Sequence, residues 1–421
     1  MTVFALVDAN SFYCSAEQVF RPDLRGKPIV VLSNNDGCIV AANRQAKELG
    51  IPKFSPYFKV QAECELKGVV AFSSNYELYS DLSSKMMNVI SRFAPEQFVY
   101  SIDESFLSFE RTSSAIPCLI EHGQKLRKAV WKECRLPVCV GFGTTLTLAK
   151  LANHLAKKNR ELNGVCLLED NHIIEQYLKN VDVSHVWGIG RRLSKRMEFM
   201  GINTAHDLMK RPPELLRKDF NVEVERTCRE LNGEVCKKWD FVKADKQQIF
   251  STRSLGERIT DIDSLRQALV KHAGIASRKA REQHSQTRVM MCFASSSPFD
   301  DNPASFKITH RFAYPTSDIT QLSKIAGEAA EQLFKEGVRY YKIGIGLLDL
   351  SDGRNEQLDL LNDKPTNDQL NSVFDSLNKK YGTDSVFIAA QGIEQKWSMK
   401  RQLLSKQYTT KWSDLPKISC R

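Results

Sequence analysis

The chain has 421 residues, with 60 Lys and Arg against 50 Asp and Glu, a formal net charge of +10, 42% hydrophobic and 26% charged residues. Such a chain builds several hydrophobic cores, in roughly two to four domains, and its composition excludes a disordered tail, a collagen-like rod and a small disulfide scaffold. Its eleven cysteines are scattered from Cys14 to Cys420 without a Cys-x-x-Cys pair, so reduced thiols in a reducing, cytoplasmic setting are expected, and zinc is not. The apolar run at residues 3–7 stops at Asp8. It is too short for a leader's apolar region or a membrane span.

Residues 2–7 read as a buried strand breaking into Asp8-Ala9-Asn10-Ser11-Phe12-Tyr13, with a helix expected through Glu17 and Phe20. A β-branched run at 28–32 ends in the turn signal Ser33-Asn34-Asn35-Asp36-Gly37, and 38–49 reads as strand into short helix, closing on Gly50 and Pro52. Leu78, Leu82, Met86, Val89, Ile90 and Phe93 keep helical spacing over 76–93. Residues 98–109 alternate as a hairpin with Ser101-Ile102-Asp103-Glu104-Ser105 at its middle; a helix at 116–131 and a strand at 136–142 follow. Leu148, Leu151, Ala152, Leu155 and Ala156 mark one face of an amphipathic helix whose other face carries Lys150, His154 and Lys157. The first ~170 residues therefore read as one α+β domain with a small insertion near 21–78.

Residues 183–210 form a small, helical, basic segment. Val186-Trp187-Gly188-Ile189-Gly190 precedes a helix with Leu193, Met197 and Met200 on one side; Gly201 stops it and Thr204 caps the next. Residues 240–248 read as a linker. Beyond it come a strand (251–259), a helix (264–283), strands (287–294 and 304–312), a helix (318–336) and a last strand (340–350), a β-α-β-β-α-β unit. A polar stretch follows residue 351. From 396 to 421 seven Lys and Arg face one Asp, a basic tail.

Asp8 at the end of a strand, and Asp103 and Glu104 at what reads as a mid-strand position, are poorly placed for stability unless cations meet them. Adjacent strand residues point to opposite faces, so Asp103 and Glu104 share one site only through a local twist. Two readings stand: a solvated hairpin tip, or a site of hard oxygen ligands, which favours Mg²⁺ over zinc.

Three stretches resemble the motifs of the Y-family (translesion) DNA polymerases: Val7-Asp8-Ala9-Asn10-Ser11-Phe12-Tyr13, Tyr100-Ser101-Ile102-Asp103-Glu104-Ser105, and residues 141–159 ending Ala156-Lys157-Lys158-Asn159. Asn34-Asn35-Asp36-Gly37-Cys38 and Ser73-Ser74-Asn75-Tyr76-Glu77-Leu78-Tyr79 are similar to its UmuC-type branch, the catalytic subunits of bacterial DNA polymerase V. The resemblance implies an α+β multidomain right-hand polymerase: palm at 1–20 and 79–170, fingers at 21–78, helix-hairpin-helix thumb at 171–240, linker at 241–250, little finger at 251–350 and a C-terminal tail at 351–421. It further implies that Asp8, Asp103, Glu104 and the Ala9 carbonyl hold two Mg²⁺ ions and that deoxynucleoside triphosphates are the substrates. Tyr13 would be a steric gate against the ribose 2′-hydroxyl. Arg44, Lys47 and Lys157 would bind the triphosphate, although Ala42-Asn43-Arg44 lacks the Tyr of the family's Tyr-x-x-Arg.

Primed template DNA is the implied partner. Gly188 and Gly190 resemble a hairpin whose N–H groups meet a phosphate, followed by Arg191, Arg192, Lys195 and Arg196. Lys307 and Arg311 alternate with core residues on a strand, with Arg253 and Arg288 adding charge, a face suited to a DNA backbone. Gln357-Leu358-Asp359-Leu360-Leu361 resembles a sliding-clamp peptide, with Leu361 where an aromatic is usual. Trp397-Ser398-Met399-Lys400-Arg401 and Tyr408-Thr409-Thr410 resemble the UmuC-type C-terminal region, which implies a UmuD-type dimer and a RecA filament as partners and error-prone synthesis past lesions in the SOS response. A cytoplasmic, nucleoid-associated enzyme without a membrane contact is expected. A non-catalytic DNA- and clamp-binding scaffold would keep the basic surfaces but has no use for three carboxylates and a gate. A nucleotide cyclase would leave the later blocks unexplained.

Overall fold

The computed structural model describes residues 2–239, 244–354 and 367–415. The chain divides into two compact units, Met1–Val242 with Gln402–Arg421, and Lys243–Arg401.

In the first unit, β1 (Phe4–Ala9) leads to α1 (Phe12–Val19). A small three-stranded sheet follows, from β2 (Ile29–Leu32), β3 (Ile39–Ala42) and β4 (Val70–Ser73), in the order β3-β2-β4. Between β3 and β4 lie α2 (Arg44–Glu48) and α3 (Tyr57–Leu66). Asn43 caps α2, its Oδ1 accepting Ala46 N–H at 3.0 Å and Ile29 N–H at 3.0 Å, so one side chain starts the helix and ties it to β2. The long helix α4 (Tyr76–Ile90) and the strands β5 (Glu96–Val99) and β6 (Glu104–Ser108) come next, then α5 (Leu119–Cys134), β7 (Val138–Gly143), α6 (Leu146–Lys158), β8 (Val165–Leu168) and α7 (Asn171–Leu178).

The main sheet runs β5-β6-β1-β7-β8. Both of its faces are covered, which is why β1 is apolar without a break from Phe4 to Val7: Ala5 and Val7 pack with Leu82, Met86 and Leu126 on one side, Phe4 and Leu6 with Leu146 and Ala149 on the other. Four short helices close the unit, α8 (Arg191–Phe199), α9 (Ala205–Met209), α10 (Pro213–Asp219) and α11 (Val222–Leu231). Thr204 caps α9 in a capping box with Asp207. Of the expected inner stripe of α8, Met197 is buried and Met200 is exposed, because the helix already ends at Phe199.

The second unit is the expected alternation: β9 (Ile249–Ile259), α12 (Ile262–Glu282), β10 (Ser285–Ser295), β11 (Ser305–Thr316), α13 (Ile319–Leu333) and β12 (Tyr340–Asp352), with an antiparallel sheet β11-β10-β12-β9. Leu265, Ala268, Leu269, Ala273 and Ala276 of α12 are all buried against it. What reads as a plain polar stretch after residue 351 contains α14 (Asp368–Tyr381). Its inward contacts are polar: Asn371 Nδ2 donates to Asp318 Oδ2 at 3.0 Å, and Arg281 forms a two-pronged pair with Asp375 at 2.6 and 2.7 Å. Among the described residues, every cysteine is free and no helix is long and apolar enough to cross a membrane.

Candidate active site

Strand periodicity and the register of the sheet together bring two carboxylates side by side. Asp8 shares its face with Leu6, and the antiparallel register pairs Leu6 with Phe106 and Asp8 with Glu104, so both carboxylates look toward α6. The mid-strand reading of Asp103 is corrected here: Asp103 lies in the bend before β6, and only Glu104 is in the strand. The Ser101 hydroxyl shapes that bend. It donates to Asp103 Oδ1 at 2.7 Å and accepts Glu104 N–H at 3.1 Å. Ala9 N–H meets the Asp103 carbonyl at 3.0 Å, which stitches the bend to the end of β1. The local twist that two adjacent acids require is therefore a turn.

The cations come from α6. Lys157 Nζ stands 2.5 Å from Asp8 Oδ1 and Lys150 Nζ 2.9 Å from Glu104 Oε1. Two turns separate the lysines, so they lie on one stripe of the helix. Thr145 caps α6, accepting Leu148 N–H at 3.2 Å, and buried Asn153 Nδ2 donates to the carbonyls of Leu6 (3.1 Å) and Cys139 (2.8 Å), which seats the helix on β1 and β7. Lys150 also sits over the rings of Tyr100 (4.5 Å) and Trp187 (5.4 Å). Sequence reasoning left Lys150 out of the site; its spacing of seven from Lys157 was the available signal.

Burial, with the negative charges of Glu104 and Asp103 adding to it, pushes the Asp8 carboxyl up to about 6 against the pull of Lys157. Among the described residues, no three His, Cys, Asp or Glu side chains are gathered closely enough to hold a metal ion as they stand, since Asp8 and Glu104 face lysines.

Tyr13 lies beside this cluster. Burial raises its phenol pKa, with Tyr76 and Asp103 adding, and its ring stacks on Tyr79 at 4.6 Å. Lys47 sits near Lys53 and Lys157; partial desolvation and these two charges lower its ammonium pKa. Arg44 instead points along its helix, to Glu48 Oε1 at 2.7 Å, as an exposed pair of little energetic weight. Lys53, absent from the sequence reading, joins the cationic group.

Gly188 takes a left-handed φ of +90°, and Gly190, with nothing within 4 Å of where a Cβ would stand, caps α8. Arg191, Arg192 and Lys195 are exposed on that helix. Trp187 packs against Tyr100 and Phe106 and carries the Lys237 ammonium over its ring at 4.7 Å. A cavity of about 520 Å³ opens beside it, lined by Gly188, Arg226, Lys237 and Lys238 among others.

In the second unit, Lys307, Thr309 and Arg311 are exposed on one face of the sheet, and exposed Arg288 lies at the break in register between Thr287 and Val289. Arg253 does not share the Lys307 face. Its register partner is buried Ile343, which turns it to the helix side, where its guanidinium meets Met399 Sδ at 3.6 Å. Gln357, Leu358, Leu360 and Leu361 lie outside the described residues.

Residues 7–154 match the model of the impB/mucB/samB family and 246–360 that of the impB/mucB/samB family C-terminal domain; 368–418 match a domain of unknown function, DUF4113. The chain is 42% identical to Protein UmuC of Salmonella typhimurium over 99% of its own length and 100% of that protein's. It is 39% identical to Protein SamB of the same organism (98% and 99%), and 24% identical to DNA polymerase IV of Pelotomaculum thermopropionicum (91% and 94%). Among solved structures it is similar to a Y-family DNA polymerase chimera of Dbh and Dpo4, with a TM-score of 0.63 at 19% identity, covering 82% of this chain and 98% of that one. This mixed α+β chain has the multidomain fold of the Y-family polymerases and belongs to the impB/mucB/samB family.

Proposed function

We propose that the chain is an error-prone, template-directed DNA polymerase that extends primers past damaged bases in the DNA-damage (SOS) response. The observation that carries this reading is the cross-strand pair Asp8 and Glu104, with Asp103 in the adjoining bend, beneath two lysines of one helix, in a chain alike over its whole length to UmuC. Three carboxylates at one sheet end, one of them held near 6 by burial and like charge, form a group short of positive charge. Their oxygens suit Mg²⁺.

Asp8, Asp103, Glu104 and the Ala9 carbonyl are the groups that would hold two Mg²⁺ ions. Mg²⁺ held by these groups would supply a lowered pKa at the primer 3′-hydroxyl and charge neutralisation of the triphosphate and pyrophosphate. The chain's own residues do the rest. Lys157 and Lys150 balance the charge of Asp8 and Glu104 and are the cations nearest to hand for phosphate oxygens at this site. Lys47 and Lys157 hold the triphosphate, with Arg44 recruited from its exposed pair. Tyr13 fills the space beneath the sugar and excludes a 2′-hydroxyl. Gly188, Gly190 and the exposed cations of α8 take backbone phosphates in the first unit, and Lys307 and Arg311 do so in the second. Arg253 is withdrawn from that set by its orientation.

The clamp peptide, a UmuD-type dimer and a RecA filament belong to the proposal on the strength of the family resemblance, as does a cytoplasmic, nucleoid-associated setting. The test is Mg²⁺-dependent primer extension over a template abasic site, with UmuD-type and RecA-type partners supplied, for the wild type and for Asp103→Asn with Glu104→Gln. Extension by the wild type alone supports the polymerase and its carboxylates. Equal extension by both removes the metal assignment, and binding of primed DNA without extension by either favours a scaffold.

A further inference from the structure

The C-terminal tail reaches the back of the proposed sugar gate. Gln402 N–H donates to Asp36 Oδ2 at 2.8 Å. Leu403 pairs with the end of β4, its carbonyl accepting Ser73 N–H at 3.0 Å and its N–H donating to Ser73 Oγ at 2.9 Å. Two residues on, Ser405 Oγ accepts Asn75 Nδ2 at 2.9 Å, and the same amide reaches the carbonyls of Ser405 and Lys406, both at 3.3 Å. The Ser405 hydroxyl also lies near enough to the Glu17 carboxylate to oppose the upward push of burial on its pKa. Tyr408 is buried and stacks at 4.8 Å on Phe20, the residue that follows α1.

These contacts converge on one buried network. Glu17, Asn75 and Tyr79 are each at most 1% exposed. Glu17 Oε1 accepts the Tyr79 hydroxyl at 2.6 Å, and Asn75 Oδ1 caps α4 by accepting Leu78 N–H at 3.3 Å. The first turn of α4 carries Tyr76 and Tyr79, and both rings meet Tyr13, edge-on at 6.4 Å and stacked at 4.6 Å. A side chain at an active site is only as well placed as the groups that lock its rotamer. Here the locking groups are themselves held by the tail.

We propose that residues 402–408 are a positioning strap: through Ser405 on Glu17 and Asn75, and Tyr408 on Phe20, they fix the Tyr76–Tyr79 wall against which the Tyr13 ring rests, and so set how strictly a ribonucleotide is rejected. This rests on the reading of Tyr13 as the sugar gate. It assigns a role to part of the matched domain of unknown function, and it gives no catalytic group to the tail.

The test compares kcat/KM for a deoxynucleotide and the matching ribonucleotide in primer extension by the full chain on undamaged template. The variants are Tyr13→Ala, Ser405→Ala, Tyr408→Ala and Tyr408→Phe. Ser405→Ala and Tyr408→Ala are expected to lower the preference for the deoxynucleotide about threefold or more, through a lower KM for the ribonucleotide, because small displacements near reacting groups carry large kinetic effects. Tyr408→Phe keeps the stack and restores the preference. If Tyr13→Ala relaxes the preference while Ser405→Ala and Tyr408→Ala leave it unchanged, the strap is refuted and the gate stands. If Tyr13→Ala has no effect, the gate reading fails and the strap with it. An equal loss of kcat with both sugars, without a change in preference, makes the tail merely structural and overturns the proposal. Should Tyr408→Ala fail to fold, Ser405→Ala decides.

Discussion

Gly141→Ala is the perturbation that most directly tests how the site is held. A Cβ on Gly141 would lie 2.0 Å from Asn153 N, 2.4 Å from Ala149 O and 2.6 Å from Ala152 C. All three are backbone atoms of α6, so no side chain can swing away. Ordinary contact begins near 3.4 Å, which requires α6 to retreat by about 1.4 Å from β7. Overpacking commonly costs about 1–3 kcal/mol; with backbone on both sides of the clash, a cost of at least about 3 kcal/mol is expected. The same retreat pulls Asn153 from the Leu6 and Cys139 carbonyls and Lys150 and Lys157 from Glu104 and Asp8. Hydrogen exchange read by mass spectrometry on peptides of β7 and α6 is the assay, with peptides of β10 as internal reference. Exchange in α6 should quicken roughly a hundredfold, and primer extension should fall by a similar factor. Gly327→Ala is the control: its nearest neighbour would be 3.9 Å away within α13, where alanine gains about 0.5–1 kcal/mol over glycine. A Gly141→Ala protein with wild-type protection in α6 would refute the close-packing argument.

Three further outcomes follow from particular contacts. Buried His272, whose Nδ1 lies 2.8 Å from Ser251 Oγ, has its pKa lowered to about 3, by burial first and then by Arg253, Lys271 and Lys279. The unfolded chain therefore binds the extra proton, and the second unit loses stability as pH falls below about 6.5, by about 2 kcal/mol at pH 5; urea titrations at pH 7.5 and 5 should show this loss for the wild type and not for His272→Asn. Glu230, fully buried, accepts Thr147 N–H at 3.0 Å, Thr147 Oγ1 at 2.5 Å and Lys237 N–H at 2.8 Å. Glu230→Ala leaves those donors unpaired, and the first unit should lose about 3 kcal/mol in chemical denaturation. Lys307→Ala and Arg311→Ala should each reduce the salt slope of DNA binding by about one, whereas Arg253→Ala should leave it nearly unchanged; an equal effect of all three would contradict the assignment of Arg253 to the helix side.

Local periodicity was enough to read the order of the second unit and the amphipathic α6, because each signal lies within a few residues along the chain; that Asp8 shares a site with Asp103, 95 residues on, and with Glu104 was implied by the family resemblance alone. Where burial is not apolar, the periodic signal disappears. The helix α3 buries only Cys64 and shows no hydrophobic stripe; α14, joined to its unit through Asn371 and Asp375, does carry Leu370, Val373, Phe374, Leu377 and Tyr381 at helical spacing, a stripe masked by its polar flanks. Arg253 and Lys307 look alike in sequence as cations on alternating strands; the cross-strand register sends them to opposite faces.

The residues in order were enough for the carboxylate motifs, for the apolar run of β1 that stops at Asp8 and for the glycines that let α6 lie on β7. Only the tertiary structure decided that Lys157 meets Asp8 and Lys150 meets Glu104, that the Asp103 bend brings a third acid beside them, and that Ser405 closes the network behind Tyr13. The reason is sequence distance. Lys150 and Glu104 are 46 residues apart, Asn75 and Ser405 are 330 apart, and such pairs come together only through sheet register and helix packing.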